Sequence, residues 1–360
     1  MLKKIIFFYK RYPKLTISFI SLLLLFIIIV KTNLIRKRFK NITKLKVNLI
    51  NSNNLKNSKK LKKLKVMSYN IQFAGAIDRN KNYDVKNLTN SIDIKDMYWY
   101  DGGTKLFMSK KKSIKKFNKI IDYIIKIDPD VIFLQEICKW TSRTGGYDQV
   151  KYLKEELKKR NTSYNYFCYA SIHKVKFIPV LKFMKFEGKT DMGNMIISKY
   201  PISNAKRHKL AIRKDTSAIE RFFDLRRNAL TCDLNIEGYN KTIFLLNSHI
   251  SAWALDNTKN LQMNKIHNIV MRNKFNGKNI IFGGDFNTVP PGTLKTVGHE
   301  DGIHINDFIV DESLSSKWIH TFILDFNHDF DIDIYKADTT KCIQIYTSSK
   351  IKNIHINTNI

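Results

Sequence analysis

The chain has 360 residues and a formal net charge of +32 at pH 7, with lysine in excess of arginine. This charge raises affinity for any polyanion but does not choose between nucleic acid and an anionic membrane. The four cysteines show no paired spacing, so they indicate neither a zinc site nor a disulfide framework. They are Cys138, Cys168, Cys232 and Cys342.

The N-terminal region predicts attachment to a membrane. Residues 1–14 form a short basic tail, and residues 15–30 are mostly apolar and uncharged. We interpret residues 15–30 as a single-span transmembrane anchor. The alternative, a cleaved signal peptide, has no small-residue cleavage site after Val30. Residues 31–64 read as a basic linker, either on an anionic membrane surface or as a solvated spacer.

The predicted location of the remaining chain follows from the basic residues around this segment. Lysine and arginine are somewhat more numerous after residues 15–30 than before them. By the positive-inside rule this places residues 65–360 on the cytosolic side of a membrane. We expect a single-pass membrane protein whose large domain begins near residue 65.

The rest of the chain alternates predicted strands and helices. Four apolar runs have the length and composition of buried strands: 65–70, 130–136, 242–249 and 279–282. Three segments have apolar residues at helical spacing, which predicts helices at 113–127, 150–159 and 257–273. The mixture predicts an α/β fold built as a layered sandwich.

Each predicted strand ends in, or is directly followed by, a polar functional group. The residues concerned are Asn70, Glu136, His249, and the pair Asp285 and Asn287. Strand ends are where α/β enzymes present polar groups to a ligand, so these positions predict a pocket. Oxygen donors of this kind suit Mg²⁺, which leaves coordination positions open for phosphate oxygens.

Six short motifs resemble the endonuclease/exonuclease/phosphatase (deoxyribonuclease I-like) superfamily. In chain order they are Ser-Tyr-Asn-Ile at 68–71, Pro-Asp-Val-Ile-Phe-Leu-Gln-Glu at 129–136, Gly-Asn-Met-Ile-Ile-Ser-Lys-Tyr-Pro-Ile at 193–202, Arg-Arg-Asn-Ala-Leu at 226–230, Leu-Asn-Ser-His-Ile at 246–250 and Gly-Gly-Asp-Phe-Asn-Thr at 283–288. The resemblance covers roughly residues 65–350. It implies two packed mixed β-sheets flanked by helices.

The resemblance also implies roles for the polar residues. Glu136 is expected to be the main metal ligand, with Asn70 beside it and Mg²⁺, or alternatively Mn²⁺, as the cofactor. Asp285 is expected to orient or activate the attacking water, and Asn287 to hold a phosphate oxygen. His249 is expected to stabilise the transition state or protonate the leaving oxygen.

Two further positions are expected to bind substrate. The resemblance places Arg226 and Asn194 in that role, each within one of the six motifs. Basic and aromatic residues also alternate in residues 172–190, which could contact lipid, stack on nucleobases or form an ordinary amphipathic hairpin. Residues 78–112 form a second insertion that could select the substrate.

The end of the chain departs from the family pattern. No Ser-Asp-His motif occurs, although residues 345–351 resemble the strand that precedes it. Cys342-Ile343-Gln344 stands where an acidic residue is usual. Asp331, Asp333 or the pair His328-Asp329 could supply a replacement. We expect a domain that is truncated before its last strand.

Three functions follow as hypotheses. The first is a membrane-anchored, Mg²⁺-dependent phosphoester hydrolase, active as a monomer on a phospholipid or phosphoinositide, because an anchor confines the site to a lipid surface. The second is a nuclease that hydrolyses DNA or RNA. The third is an inactive member with a binding role, which the missing motif would explain.

Overall fold

The structure is a computed structural model that describes residues 12–31, 37–50, 64–74, 108–178, 181–182, 185–186, 188–251, 256–287 and 343–347. Its helices are α1 (Pro13–Lys31), α2 (Lys110–Ile127), α3 (Gln149–Lys159), α4 (Ala218–Phe223) and α5 (Thr258–Phe275). Its strands are β1 (Ile42–Lys44), β2 (Asn48–Leu49), β3 (Val66–Asn70), β4 (Val131–Thr141), β5 (Tyr166–Val175), β6 (Leu181–Lys182), β7 (Lys185–Phe186), β8 (Thr190–Ser198), β9 (Ile202–Lys209), β10 (Asn228–Leu234), β11 (Ile243–His249), β12 (Asn279–Asp285) and β13 (Ile343–Thr347).

Two mixed sheets form the centre of the described fold. One has the strand order β2-β5-β8-β4-β3, and the other has the order β1-β9-β10-β11-β12-β13. Each contains one parallel pair, β3 with β4 and β11 with β12, and the remaining pairs are antiparallel. The two parallel pairs turn out to carry the candidate site.

The sheets pack face to face through an apolar core. Phe133 and Ile196 of the first sheet lie in one buried cluster with Leu230, Leu245 and Ile281 of the second. These branched and aromatic side chains alternate along their strands, so each strand sends one face into this layer.

The helices cover the two outer faces. Phe117 and Ile121 of α2 and Leu153 of α3 pack on the first sheet, whereas Ile266 and Val270 of α5 pack on the second. The order of layers is therefore helix, sheet, sheet, helix. This confirms the predicted sandwich of two mixed sheets with flanking helices.

The predicted elements are found with shifted ends. The helices expected at 113–127, 150–159 and 257–273 are α2, α3 and α5. Helix α2 begins three residues earlier than expected because Ser109 caps it, its side chain accepting from the Lys112 amide. Strand β4 was expected to end at Glu136 but continues to Thr141.

The N-terminal anchor is not confirmed. Residues 13–31 are helical, as α1. Among the described residues, no helix combines the length and the apolar character that crossing a membrane requires.

Other sequence predictions fall partly or wholly outside the described residues. In the 172–190 insertion, Leu181 pairs with Phe186 and Lys182 with Lys185, as in a hairpin. Of the 78–112 insertion only residues 108–112 are described. The possible replacement carboxylates at 328–333 lie outside the described residues.

Candidate active site

The two parallel strand pairs bring their carboxyl ends to one edge of the sandwich. Asn70 is the last residue of β3, His249 the last of β11 and Asp285 the last of β12. In the ladders, Asn70 lies opposite Gln135, one residue before Glu136, and His249 lies opposite Asp285. The fold therefore assembles the residues that the sequence placed at strand ends.

Glu136 reaches the site through an irregularity in β4. The pairing of β4 with β8 shifts register between Leu134 and Ile137, and Glu136 has a φ of 59°. Such a bulge inserts an extra residue and re-aims a side chain without ending the strand. This explains why β4 continues past the functional residue.

Four side chains contact one another at this edge. The Asn70 amide Nδ2 donates to Asp285 Oδ2 at 2.8 Å, and its Oδ1 accepts from the backbone N–H of Gln72 at 3.0 Å. His249 lies between the carboxylates, with Nε2 3.6 Å from Asp285 Oδ2 and Nδ1 3.7 Å from Glu136 Oε1. The carboxylate side chains keep 20% (Glu136) and 10% (Asp285) exposure, so the group is enclosed but open to solvent.

Asn287 supports this group from the loop after β12. Its backbone N–H donates to Asp285 Oδ1 at 2.9 Å, and its side-chain Nδ2 donates to the Ile250 carbonyl at 2.9 Å. The residue has a φ of 46°, a left-handed conformation that asparagine tolerates better than most residues. Asn287 thus links the loop after Asp285 to the loop after His249.

Only glycine fits at position 284, directly before Asp285. Its φ is 143°, and a Cβ built there would lie 1.9 Å from the Ser248 carbonyl oxygen on the adjacent strand. The close approach of β11 and β12 that brings His249 beside Asp285 therefore depends on the missing side chain at residue 284.

Burial dominates the electrostatics of the site. It raises the pKa of Glu136, which the positive charge of Arg227 partly offsets. It also raises the pKa of Asp285, against the hydrogen bonds from Asn70 and Asn287. Burial, together with the charge of Arg227, holds the pKa of His249 well below its ordinary value, so the ring is neutral.

The structure distinguishes between two adjacent arginines. Arg226, the predicted substrate-binding residue, directs its guanidinium to the carbonyls of Arg221 (2.8 Å) and Asp224 (3.4 Å). Arg227 is 8% exposed, and its charge acts on Glu136, Asp285 and His249. Its Nη1 has no hydrogen-bond partner within the described residues. Arg227 is therefore better placed than Arg226 to contact an anion at the site.

Asn194, the other predicted substrate-binding residue, is fully buried on β8. Its Nδ2 donates to the Asn228 carbonyl at 3.4 Å, and its Oδ1 has no partner among the residues that the structure describes. Within the described part of the chain, no hydrogen bond joins Asn194 to Glu136, His249 or Asp285. A substrate-binding role for Asn194 stays a prediction.

Beneath the site, a polar network that the sequence analysis missed joins the two sheets. Asn247 of β11 donates to the carbonyls of Leu134 (3.0 Å) and Met195 (2.9 Å) in the opposite sheet. It also accepts from Gln135 Nε2 at 2.8 Å, and Gln135 in turn donates to Ser68. The sequence carried a signal for this network, because a polar residue interrupts the apolar strand one or two positions before Asn70, Glu136 and His249.

The oxygen-bearing side chains of the candidate site suit a hard divalent cation whose other ligands would be water and substrate oxygens. Within the described ranges, no cluster of three or more histidine, cysteine, aspartate or glutamate side chains could hold a metal ion. Mg²⁺ needs only one or two carboxylates, because it keeps several waters and binds phosphate oxygens. Glu136 supplies such an oxygen ligand, and a cation there would compensate the cost of the buried carboxylate. The Asn70 amide directs its Nδ2 to Asp285 and its Oδ1 to the Gln72 amide, so a bond from Asn70 Oδ1 to the cation stays a prediction.

Comparison with known proteins agrees with this geometry. Residues 67–305 match the Endonuclease/Exonuclease/phosphatase family, a range that contains Asn70, Glu136, His249, Asp285 and Asn287. The chain belongs to the endonuclease/exonuclease/phosphatase family. No curated protein matches the chain in sequence.

Several solved structures are similar to the chain at low sequence identity. An endonuclease/exonuclease/phosphatase from Beutenbergia cavernae is 17% identical, with a TM-score of 0.43 over 64% of this chain and 48% of that one. A family protein from Leptotrichia buccalis is 16% identical, with a TM-score of 0.42 over 80% and 88% of the two chains. The human Nocturnin catalytic domain is 12% identical, with a TM-score of 0.41 over 65% and 75%. This chain thus spans about half of the Beutenbergia protein.

Proposed function

We propose that the protein is a Mg²⁺-dependent hydrolase of phosphoester bonds, with Mn²⁺ as an alternative cofactor. The observation that carries the proposal is the single contact group formed by Asn70, Glu136, His249 and Asp285. Hydrolysis of a phosphoester needs negative charge neutralised on the phosphoryl oxygens, a positioned water and a donor for the leaving oxygen. The described residues can supply each of these.

We propose one role for each residue of this group. Glu136, with Asn70, would hold the cation, whose chemistry is to neutralise charge on the phosphoryl oxygens. Asp285 would orient the attacking water and accept its proton as the new P–O bond forms. His249 is neutral, so one ring nitrogen can donate a hydrogen bond to a phosphoryl or leaving oxygen.

Arg227 completes the proposed site as an anion contact. Its Nη1 has no partner among the described residues, and burial lowers the pKa of its guanidinium, which the negative charges of Glu136 and Asp285 partly offset. A guanidinium makes strong, charge-assisted hydrogen bonds to phosphate. The proposed substrate is therefore held between a cation at Glu136 and the guanidinium of Arg227.

The substrate class stays a hypothesis from the sequence. A phospholipid or phosphoinositide was expected because residues 15–30 would confine the site to a membrane, and a nucleic acid was the alternative. Location at a membrane, with the domain on the cytosolic side, and activity as a monomer also stay predictions from the sequence.

A second candidate function is binding without turnover. Strand β13 runs antiparallel to β12 with Ile343 opposite Asp285 and Gln344 opposite Gly284. Strand β13 overlaps residues 345–351, which resemble the strand before the family's Ser-Asp-His motif. It therefore starts beside the site, and its described residues, 343–347, include no aspartate or glutamate. This observation supports a member that binds a cation and a phosphoester but hydrolyses it slowly or not at all.

One experiment tests both candidates. The full chain is incubated with plasmid DNA, RNA, and sphingomyelin or phosphoinositide vesicles, with Mg²⁺, Mn²⁺ or EDTA. The test variant is Glu136→Gln, and the control is Glu155→Gln, an exposed glutamate that pairs only loosely with Lys151 at 3.8 Å. Metal-dependent turnover that Glu136→Gln abolishes and Glu155→Gln retains would support the hydrolase and name its substrate. Metal binding that Glu136→Gln abolishes, without turnover, would support the binding role.

A further inference from the structure

Two buried glutamines occupy matching places behind the candidate active site, one in each half of the fold. Gln149 is the first residue of α3, and Gln262 lies in the second turn of α5. Both are fully buried, and neither contacts the carboxylates. Each instead hydrogen-bonds the backbone that follows a site residue.

Gln149 joins the segments that follow Glu136 and Asn70. Its Oε1 accepts from the backbone N–H of Cys138 at 3.0 Å, two residues after Glu136. Its Nε2 donates to the carbonyl of Phe73 at 2.7 Å, three residues after Asn70. One side chain therefore sets the distance between the backbones that carry the two proposed metal ligands.

Both of these segments have strained backbones. Residues 72–74 have φ values of 45°, 44° and 55°, and Glu136 has a φ of 59°. Left-handed conformations are unfavourable for non-glycine residues, so they persist only where the surroundings hold them. Gln149 bonds the middle residue, Phe73, whose ring also lies under the guanidinium of Arg143 at 4.2 Å.

Gln262 makes the equivalent contacts behind His249. Its Oε1 accepts from the N–H of Ser251 at 2.9 Å, two residues after His249. Its Nε2 donates to the Ala211 carbonyl at 2.8 Å and to Ser251 Oγ at 3.0 Å. The loop after His249 is thus anchored to a neighbouring loop in the way that Gln149 anchors the loop after Glu136.

The partners require a carboxamide at both positions. A backbone N–H can only donate and a carbonyl can only accept, so the orientation of each amide is unambiguous. A glutamate would keep the bond from the N–H but present a second oxygen to the carbonyl. A methionine of similar shape would make neither bond. Glutamine is the residue that satisfies both partners in a buried place.

We propose that Gln149 and Gln262 are positioning residues, which hold Glu136 with Asn70, and His249, at the separations that the site requires. They act through the backbone and do not touch the substrate. The expected effect on turnover rests on the proposed function, but the effect on the geometry of the site does not.

The test compares Gln149→Met, Gln149→Glu and Gln262→Met in the full chain with Leu157→Ala. Leu157 is a fully buried residue near the other end of α3, so its truncation gives a control for lost stability. The first readout is the NMR signal of the His249 ring, identified by its loss in His249→Gln. The second is kcat and KM with whichever phosphoester the wild-type protein hydrolyses.

The Gln149 and Gln262 variants are expected to shift the His249 ring signals and to lower kcat roughly 10- to 100-fold with a smaller change in KM. Leu157→Ala is expected to lower Tm without either effect. Ring signals in the variants of either glutamine that match those of Leu157→Ala would overturn the proposal for that glutamine. If the wild-type protein hydrolyses no substrate, the proposed function fails, and the ring signals alone decide the positioning role.

Discussion

Asn70 and Asp285 are joined by a 2.8 Å hydrogen bond between two sheets, although 215 residues separate them in the chain. Asn70 ends β3 of one sheet and Asp285 ends β12 of the other. The candidate site therefore exists only when the two sheets are packed against each other. The buried tie from Asn247 to the carbonyls of Leu134 and Met195 holds the sheets together directly beneath it.

The Asn70 bond leads to a first prediction. Asn70→Ala removes the donor to Asp285, which frees this carboxylate to reorient, and we expect kcat/KM for the phosphoester to fall roughly 10- to 100-fold. Asn118→Ala is a suitable control, because Asn118 Oδ1 accepts a hydrogen bond of similar length, 2.9 Å, from the Tyr152 hydroxyl away from the site. Equal losses of activity in the two variants would contradict the role of Asn70.

The two adjacent arginines give a second prediction. Arg227→Lys should raise KM for a phosphoester roughly tenfold or more, because lysine loses the forked geometry that binds phosphate oxygens. Arg226→Lys should change KM little, because the Arg226 guanidinium is occupied by the Arg221 and Asp224 carbonyls. Steady-state kinetics of the two variants measures both KM values and shows which arginine contacts the substrate. A larger effect at Arg226 would restore the original sequence prediction.

A third prediction concerns the glycine before Asp285. Gly284→Ala forces a Cβ to within 1.9 Å of the Ser248 carbonyl oxygen, and we expect it to lower the free energy of unfolding by about 3 kcal/mol or more. Gly277→Ala is the matched control. It also has a positive φ, 75°, but nothing lies within 4 Å of its Cβ, so it should cost about 1 kcal/mol. Urea denaturation measures both, and similar values would show that β11 and β12 can separate at little cost.

A fourth prediction concerns the dependence of stability on pH. Burial and the nearby charges of Lys206 and Lys265 lower the pKa of His208 from 6.5 to about 4. Between these values the unfolded chain binds a proton that the folded chain does not, so the free energy of unfolding should fall as the pH drops from 6.5 towards 4. A shift of this size corresponds to roughly 3 kcal/mol.

His208→Gln should remove this part of the pH dependence. Glutamine can still bond to Thr231, whose hydroxyl lies 3.1 Å from His208 Nε2. Asn268→Gln at an exposed position of α5 serves as the control, and it should leave the wild-type slope unchanged. If wild-type and His208→Gln proteins lose stability in parallel over this pH range, the burial of an uncharged His208 is not the cause.

Much of the fold could be predicted because its signals are local. Apolar runs ending in Asn70 and His249 predicted strands that end there, and the structure confirms both ends. The strand predicted at 279–282 continues three residues further, to Asp285. The bulge at Glu136 could not be predicted, because it depends on register against β8 and not on the residues of β4 alone. The sequence therefore ended β4 five residues too early.

Other features of the site also depend on the folded chain. Whether Arg226 or Arg227 faces the site depends on one position in a loop, and no periodicity marks it, so the role of Arg226 stays a prediction. Gln149 and Gln262 lie on helices far from the family motifs, and their role appears only once their backbone partners are known. These two glutamines are identified by their positions in the folded chain and not by their residue type.

The most direct test of the central claim is a double-mutant cycle at the site. Turnover of bis(4-nitrophenyl) phosphate with Mg²⁺ would be compared for the wild-type chain, Glu136→Gln, Asp285→Asn and the double variant. If the two carboxylates act in one site, the double variant should lose about as much activity as the more damaging single variant, because residues that act as a unit are not additive. Losses that multiply would show that Glu136 and Asp285 act independently and would contradict a shared catalytic site.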